Sequence, residues 1–414
     1  MRPELRADVI VVGAGPSGLA AAITCRRLGI ERVVVLERED EAGGIPRHCG
    51  HPPFGMREFK RVLSGPAYAA RLADAAGRAG VTVLTQHHVV ALEAAGRLRL
   101  STPEGLRDAH ATRVLLATGA RETPRAARLV GGQRPIGVMN TGALQSHLYL
   151  RKLVPFRAPL IVGTELVSLS AVWSCLKAGI RPVAVVEAND WPTARRPLAW
   201  FPGLCGIPVL YGTQVAAIHG AARVSGVTLQ DASGRRVERA CDGVLFTGQF
   251  LPEASLVRAS HLALDAASGG PLIDQQGRTS DPSYFAAGNL LRPIETAGWA
   301  FREGRRIGAT IARDIGADSA GRAPAVAVTV GPHIKFAVPG RWRPGPPDAE
   351  GLSALQLRVT QAMRGVLVLR ADGRDVWRRR MAALPERRIL VPVPPLDAGV
   401  RSLWVGFESP ASGN

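Results

Sequence analysis

Short, wholly apolar runs separated by glycine-rich turns recur along the first three quarters of the chain. The first run is Val9–Val12; glycines at 13, 15 and 18 follow it, and a helical stretch continues to Leu28. A second apolar run, Val33–Leu36, ends in Glu37. Uninterrupted apolar runs of this length are typical of buried parallel strands, so the pattern predicts a strand, a turn, a helix and a second strand.

The glycine-rich turn predicts a dinucleotide-binding site. Gly13 would make the tight turn, Gly15 would let a pyrophosphate approach the backbone, and Gly18 would let the helix pack on the strand. The amino terminus of the helix would face the phosphates. Glu37 is placed to bind ribose hydroxyls. The alternative is a glycine-rich turn without a ligand, but strand, glycines, helix, strand and acid occur here in the required order.

The same plan is repeated later in the chain. Leu160–Val162 precedes Gly163, a helical stretch runs to about Ala178, and Val183–Val186 ends in Glu187. The spacing from glycine to glutamate is 24 positions in both copies. Each copy then continues through a hairpin to a buried strand that ends in Thr-Gly, at 118–119 and at 247–248. The duplication predicts an α/β fold with two tandem Rossmann-like units.

A third segment, Asp281–Asn289, predicts a strand and a turn, and a helix follows it through Ile315. With this segment the sequence resembles the class II pyridine nucleotide–disulfide oxidoreductase superfamily. The resemblance implies FAD, a Gly288 turn that holds the ribityl chain with Asn289 in place of the usual acid, and a helix that faces the flavin. The implied FAD-binding residues are Gly13, Gly15, Pro16, Ser17, Gly18, Glu37, Arg38, Gly44, Thr118, Gly119, Gly288, Asn289, Thr296 and Ala297.

One block narrows the resemblance. Gly43–Gly55, with Ser64–Pro66 after it, is similar to the flavoprotein subunits of opine oxidases, hydrogen cyanide synthase, and proline or hydroxyproline dehydrogenase complexes. It is also similar to the oxidoreductases that accompany some glycerol-3-phosphate dehydrogenases. Members of this branch work with a second flavoprotein of the amino-acid oxidase type, often with an iron–sulfur protein. Any such cluster would be on another chain, because the carboxyl-terminal part of this sequence has no cysteine.

The resemblance implies the FAD-binding subunit of a heteromeric dehydrogenase or oxidase. Its substrate would be an amino acid, an imino acid or an opine-like compound, and its electrons would pass to a partner. Two alternatives remain open: a stand-alone NAD(P)H-dependent flavin reductase, and a non-catalytic scaffold subunit that binds FAD. The sequence does not specify the substrate, the electron acceptor or the stoichiometry.

The second Rossmann-like unit departs from the fingerprint. Where the first unit has Gly15 and Gly18, the second has Glu165 and Ser168. A carboxylate ~4 Å from a phosphate charge costs about 4 kcal/mol at an effective dielectric constant of about 20. We interpret this unit as having lost nicotinamide binding, which makes NAD(P) a doubtful cofactor. In the opposing interpretation, Glu165 swings away and Glu187 still binds ribose.

The loop after the first unit offers three weak candidates for catalysis: His48, Cys49 and His51. A histidine there could act as an acid–base group, although a loop that shapes the flavin face is the simpler interpretation. The sequence supplies too few neighbouring ligands for a metal, and none is expected. The five cysteines form no CxxC pair, which argues against a disulfide scaffold, a cysteine-ligated cluster and a dithiol redox pair.

After Gly316 the pattern changes to short β runs, with an Asp372-Gly373 hairpin signal and a loop at 344–347. We expect a small all-β sandwich with a basic surface, either a packing module or a docking surface for the partner. The predicted domains are residues 1–150 with 250–320 for FAD, 151–249 for the degenerate NAD(P)-binding-like unit, and 325–414 for the sandwich.

The net charge of +18 comes almost wholly from arginine. Such a surface can attract nucleic acid, anionic lipid or an acidic protein. The arginines are scattered, the longest run is Arg378–Arg380, and no recognition motif accompanies them, so we expect no nucleic-acid binding. No targeting segment or membrane span is recognisable, and the expected location is the cytoplasm.

Overall fold

The structure is a computed structural model that describes residues 3–292, 294–316, 324–346 and 350–408. No helix in these ranges is long and apolar enough to cross a membrane.

The first unit is a seven-stranded sheet covered on both faces. Six of its strands run in the order β3-β2-β1-β6-β5-β4, and the seventh, Tyr284–Ala286, pairs with β6 from later in the chain. Strand β1 pairs in parallel with both β2 and β6. Alternate residues of β1 face opposite cores: Val9 and Val11 pack under the helices, whereas Ile10 packs against the other side. The elements are β1 (Leu5–Val12), α1 (Pro16–Arg27), β2 (Val33–Leu36), α2 (Gly65–Arg78), β3 (Thr82–Leu84), β4 (His88–Glu93), β5 (Arg97–Thr102) and β6 (Gly105–Leu116), with a 3-10 turn at Ile45–His48.

The second unit has a parallel five-stranded sheet, β12-β11-β10-β16-β9, and a four-stranded sheet, β15-β14-β13-β8. The short ribbon β7–β17 joins the two units. The elements are β7 (Ala120–Glu122), β8 (Gly131–Gly132), β9 (Val138–Asn140), α3 (Thr141–Gln145), β10 (Pro159–Val162), α4 (Leu166–Lys177), β11 (Ala184–Val186), α5 (Phe201–Leu204), β12 (Val209–Leu210), β13 (Thr213–His219), β14 (Gly226–Asp231), β15 (Arg236–Ala240), β16 (Gly243–Phe246) and β17 (Phe250–Pro252).

The second sheet begins earlier than the expected boundary at residue 150. Strand β9, at 138–140, pairs in parallel with β16, and β8, at 131–132, pairs with β13. Both strands are too short to give a periodic signal, which is why the sequence placed them with the first unit.

The chain then returns to the first sheet. A short helix, α6 (Ser255–Arg258), is followed by strand β18 (Tyr284–Ala286), which pairs in parallel with β6. Helix α7 (Ala297–Gly316) packs on α1 through two glycines. A Cβ on Gly304 would lie 2.1 Å from the Ser17 carbonyl oxygen, and one on Gly308 would lie 2.6 Å from that of Ala21. The two helices are therefore in direct backbone contact.

Residues 326–407 form two further sheets around a shared apolar core. The five-stranded sheet has the order β21-β19-β26-β23-β24 and the three-stranded sheet the order β20-β22-β25. The expected hairpin at Asp372-Gly373 is confirmed, with φ of 46° and 80° at its two positions. Part of the predicted loop, Pro347, lies outside the described residues. The strands are β19 (Val326–Val330), β20 (Ile334–Val338), β21 (Arg341–Trp342), β22 (Ala354–Val359), β23 (Met363–Ala371), β24 (Arg374–Ala383), β25 (Ile389–Pro392) and β26 (Leu403–Phe407).

This carboxyl-terminal part is fused to the first unit by a common core. Phe336, Val338 and Leu352 belong to the same buried cluster as Ile10 and Leu290. The contact brings the β22 strand against the segment that connects β18 to α7, where the sequence places a flavin turn.

Candidate functional site: the Gly13–Gly18 turn

The turn after β1 has the geometry that a pyrophosphate cradle needs. Gly13 has φ of +105°, which favours glycine, and a Cβ there would lie 2.6 Å from the Ala117 carbonyl oxygen. A Cβ on Gly18 would lie 2.0 Å from the Gly13 carbonyl oxygen, so this glycine allows the helix to approach the strand. No atom lies within 4 Å of the corresponding position on Gly15. The space above Gly15 is therefore open to a ligand.

The amino terminus of α1 is free to bind an anion. Gly15 precedes the helix without a side-chain cap, Pro16 is its first residue, and the first turn contains no acidic residue. The Ser17 hydroxyl oxygen is buried and has no hydrogen-bond partner among the described residues. Uncapped amides and an unsatisfied buried hydroxyl fit a phosphate oxygen in this position.

Two distant loops reach the same turn. A Cβ on Gly44, which has φ of +62°, would lie 2.9 Å from the Gly15 Cα atom. One on Gly288 would lie 2.7 Å from the Ser17 Cβ atom. The fold thus brings four predicted FAD-binding residues from three separate segments into contact.

Glu37 closes the turn from the end of β2. It is 6% exposed, its Oε2 accepts a hydrogen bond from the Ala14 amide at 2.8 Å, and its Oε1 accepts one from the Glu39 amide at 3.0 Å. The carboxylate is thereby oriented by the backbone, and the remaining lone pairs of its oxygens are available to hydroxyl groups. Arg38, by contrast, is exposed and lies 3.7 Å from the Glu39 carboxylate.

Three of the remaining predicted residues bond to neighbouring segments, and the other two lie at the start of α7. The Thr118 hydroxyl donates to the Glu253 carbonyl oxygen at 2.7 Å, and Gly119 accepts from the Glu253 amide. The Asn289 side chain holds the backbone of Glu295, donating at 3.1 Å and accepting at 2.9 Å. One amide hydrogen of Asn289 is left for another acceptor. Thr296 is exposed, and Ala297 opens α7.

A buried ion pair that the sequence did not reveal braces the Gly288 turn. Arg292 and Glu303 are 1% and 5% exposed, and their Nη2 and Oε2 atoms are 2.6 Å apart. Glu303 accepts the Gly288 amide at 2.7 Å, and Arg292 donates to the Gly288 carbonyl oxygen at 3.2 Å. From β22, Gln356 accepts from Arg292 at 2.9 Å. The pair is satisfied on both sides, which is the condition under which a buried charge pair is tolerated.

Candidate functional site: the second unit and the Cys49 loop

The turn after β10 resembles the turn after β1 as far as residue 164, and differs from it at Glu165, which stands at the position of Gly15. Gly163 has φ of +113° and lies against Thr247, as Gly13 lies against Ala117. Glu187 occupies the place of Glu37 and is 6% exposed. Its Oε1 accepts from the Asn189 amide at 3.0 Å, and its Oε2 accepts from the Thr164 hydroxyl.

Glu165 closes the second turn. Its carboxyl group lies on the backbone of Gly248, since a Cβ there would be 1.2 Å from Glu165 Oε2. The Oε2 atom is buried without a hydrogen-bond partner among the described residues, and Oε1 is 3.4 Å from the Gln249 amide. Burial raises the pKa of Glu165 to about 8. Beside it, Arg128 donates to the carbonyl oxygens of Thr247 and Gly248. The Glu165 side chain thus lies against the Gly248 backbone, whereas no atom lies within 4 Å of a Cβ on Gly15 in the first unit.

Cys49 is buried, whereas the two histidines beside it are partly exposed. The Cys49 thiol is 3.4 Å from the Gln145 amide oxygen, and burial raises its pKa to about 12. At neutral pH it is a thiol, so it is a poor nucleophile. Burial also lowers the pKa of His48 and of His51, and His51 Nδ1 donates to the Pro52 carbonyl oxygen at 3.0 Å. Neutral, partly buried histidines fit a structural loop. Within the described ranges, no group of three His, Cys, Asp or Glu side chains could hold a metal ion.

Comparison with known proteins identifies the family. Residues 7–304 match the family described as pyridine nucleotide-disulphide oxidoreductase, which is well over half of the chain. The chain belongs to this family. As a member, it is a flavin oxidoreductase, and the family implies binding of a flavin and of a nicotinamide nucleotide.

Among curated relatives, this family member is 26% identical over 310 residues to an opine oxidase subunit of Agrobacterium tumefaciens. It is 28% identical over 306 residues to the alpha subunit of sarcosine oxidase from Rhizobium meliloti. These alignments cover 68% and 71% of this chain, but only 61% and 28% of the relatives. The chain therefore spans less than two thirds of the length of these relatives.

Solved structures share the fold of this family member. Thioredoxin reductase of T. acidophilum superposes with a TM-score of 0.64 at 23% identity, over 76% of this chain and 100% of that one. L-proline dehydrogenase of P. horikoshii superposes with a TM-score of 0.58 at 18% identity, over 77% of this chain and 58% of that one.

Proposed function

We propose that this chain binds FAD at the Gly13–Gly18 turn and serves as the FAD-binding subunit of a heteromeric dehydrogenase or oxidase. The observation that carries the proposal is the open space above Gly15, next to the buried unsatisfied hydroxyl of Ser17 and the oriented carboxylate of Glu37. The cradle and the acid together favour a ligand with an ADP moiety, hence FAD rather than FMN. The FAD-binding part would comprise residues 1–150 and 250–320.

When bound, FAD supplies the two-electron oxidation of a C–N or C–H bond. The chain contributes position and electrostatics: Gly13, Gly15 and Ser17 would hold the pyrophosphate, and Glu37 the ribose. Gly288 and Asn289 would hold the ribityl chain, and Thr296 and Ala297 would lie against the ring. The Arg292–Glu303 ion pair is buried away from water and holds the Gly288 turn in place.

The role within a larger enzyme follows from the state of the second unit, residues 151–249. Because Glu165 and Arg128 fill the second turn, we propose that nicotinamide nucleotides do not bind there and that electrons are exchanged with a protein partner. The described cysteines are all free and four of the five are buried, which leaves no dithiol relay. Relatives that bear the names of oxidase subunits support this role.

By analogy with these relatives, the substrate would be an amino acid, an imino acid or an opine-like compound. The partner would be a second flavoprotein of the amino-acid oxidase type, with an iron–sulfur protein as a further component, in the cytoplasm. Residues 325–414 would contribute to docking. Their edge strand β24 exposes Arg378, Arg379 and Arg380, a basic row that suits an acidic partner, although such charges also prevent edge-to-edge aggregation.

The deciding experiment uses the full chain, alone and co-expressed with a candidate flavoprotein of the amino-acid oxidase type. We expect the released flavin of the full chain to be FAD, the two proteins to co-purify, and candidate amino or imino acids to bleach the flavin anaerobically only in the complex. A chain that carries no flavin would refute FAD binding. A flavin that neither NADH nor substrate with partner reduces would instead support a non-catalytic scaffold.

A stand-alone NAD(P)H-dependent flavin reductase is the second candidate. The observation that favours it is the preserved Gly163 turn with the oriented Glu187 carboxylate, which could still bind a ribose. Rapid anaerobic bleaching of the isolated chain by NADH would establish the reductase in place of the heteromeric enzyme.

A further inference from the structure

Three arginines meet on one tryptophan at the amino terminus of α7. The guanidinium carbons of Arg57 and Arg302 each lie 5.1 Å from the centroid of the Trp299 ring, and that of Arg388 lies 3.8 Å from it. They come from the loop before α2, from α7 itself and from the β24–β25 connection. Arg302 is three residues from Trp299 on the same helix, whereas the contacts of Arg57 and Arg388 join segments that are far apart in the sequence.

One of the three guanidinium groups, that of Arg388, is paired with a carboxylate, and the other two are not. Arg388 shares Glu295 with Arg358, since the two arginines lie 3.0 Å and 2.6 Å from its two oxygens. Arg57 and Arg302 are exposed, and in the part of the chain that the structure describes neither has a carboxylate within 4 Å. The positive charge of Arg57 reaches Arg388, whose pKa it helps to lower, and an anion would relieve this repulsion. The Glu58 carboxylate offsets part of the charge, since its Oε1 would lie 2.9 Å from a Cβ on Gly298 in the same helix.

The surroundings of Arg388 lower its pKa. Burial is the main cause that lowers its pKa, and the positive charges of Arg358, Arg292 and Arg57 add to the effect, while Glu295 opposes it. The first turn of α7 contains no acidic residue, so the positive end of the helix dipole adds to the same field.

The three arginines lie next to residues of the proposed flavin site. The Arg57 guanidinium donates to the Thr296 hydroxyl at 3.4 Å, and the Trp299 amide donates to the Thr296 carbonyl oxygen at 2.9 Å. Thr296 and Ala297 are the residues assigned to the flavin ring. An anion on these arginines would therefore lie beside the ring.

We propose that Arg57, Arg302 and Arg388, gathered on Trp299, form a binding site for the carboxylate of the substrate. This rests on the proposed function, because the amino-acid, imino-acid and opine-like compounds named there all carry a carboxylate. A guanidinium that lies on an indole ring keeps its N–H edge free, and that edge matches a carboxylate in a bidentate fashion. With two unbalanced guanidinium groups, the site favours dicarboxylates over monocarboxylates.

The test titrates the full, flavin-loaded chain with succinate and with acetate at constant ionic strength, kept by chloride. Two signals are followed: the visible flavin absorbance and the tryptophan fluorescence. We expect saturable changes in both, with tighter binding of succinate. Arg57→Gln and Arg302→Gln should each weaken succinate binding about tenfold. Arg305→Gln is the matched control, since Arg305 is an exposed arginine on the same helix without a contact to Trp299, and it should leave binding unchanged.

Trp299→Phe assigns the fluorescence signal, because it should abolish the fluorescence change and retain the flavin change. Equal responses to succinate and to chloride, or loss of binding in Arg305→Gln as large as in Arg302→Gln, would overturn the site. A fluorescence change without a flavin change would overturn the substrate role. Binding of poly-glutamate without binding of succinate would also overturn the substrate role, and would indicate that the site binds an acidic protein instead. If the chain carries no flavin, the proposed function fails, and fluorescence still measures anion binding.

Discussion

The carboxyl group of Glu165 lies on the backbone of Gly248, in the place where the first unit leaves open space above Gly15. The two units thus share a strand order and a turn, and differ in whether the turn can admit a phosphate. A single side chain accounts for most of that difference, which makes its consequences measurable.

Removing that side chain should reopen the second turn. The wild-type chain is expected to bind NADH weakly or not at all, and Glu165→Gly should give measurable affinity, because the turn then resembles the Gly13–Gly18 turn. Ser168→Gly should add little, since Ser168 is already small and is 1% exposed. Titration with NADH under nitrogen, by flavin absorbance and ligand fluorescence, checks this. Micromolar binding to the wild type, with no gain in Glu165→Gly, would contradict our account of the second site.

The same carboxyl group should make stability depend on pH. Its folded-state pKa of about 8 is above the ordinary value of 4.5, so the folded state holds a proton that the unfolded chain releases first. The free energy of unfolding should therefore fall as the pH rises from about 4.5 through 8. Glu165→Gln should flatten this decline, whereas Glu31→Gln, at an exposed position, should not.

Urea unfolding at pH 6 and pH 9 measures the effect. At pH 9 the glutamine variant should exceed the wild type by about 2 kcal/mol, allowing for partial exposure and relaxation. Parallel pH curves for the two proteins would mean that Glu165 is solvated and that the second turn is open.

The open space above Gly15 predicts a selective loss of flavin. Gly15→Leu should fold normally but be colourless, because the side chain would occupy the pyrophosphate position. Gly77→Leu is the matched control, since Gly77 is an exposed glycine in α2 that also has no atom within 4 Å of a Cβ. Circular dichroism of both variants tests whether they fold, and the flavin content per chain tests whether they bind FAD. A yellow Gly15→Leu protein with full FAD content would refute the assignment.

Gln356 links the carboxyl-terminal sheets to the Gly288 turn through Arg292. Replacing it should therefore weaken both the stability of the fold and the binding of flavin. Gln356→Leu would leave the Arg292 Nε–H without its acceptor at a buried site and should cost about 1–3 kcal/mol of stability. Flavin should also dissociate more readily during dialysis. Gln361→Leu, at an exposed position, should change neither property. Unchanged flavin retention in Gln356→Leu would show that Arg292 and Glu303 hold the turn without Gln356.

The sequence predicted what local spacing encodes. The glycine turns, their strands and the Asp372-Gly373 hairpin depend on neighbouring residues, and so they were readable from the chain. The Arg292–Glu303–Gln356 cluster was not, because Gln356 is 64 positions from Arg292. The same holds for Arg57, Trp299 and Arg388, which only the folded chain brings together. Glu165 was recognised as an obstacle, but its position on Gly248 depends on a turn 83 residues away.

The bracing of Gly288 by Gln356 also bears on the order of events during synthesis. Strands β1 and β2, the Gly13–Gly18 turn and α7 all leave the ribosome before β22, and domains generally fold as they emerge. In the nascent chain, the Gly13–Gly18 turn would then be folded before Gln356 can accept a hydrogen bond from Arg292. The proposed FAD would then bind first through its ADP half, during translation. Its ribityl chain would be held firmly only after residue 356 has been synthesised and has bonded to Arg292.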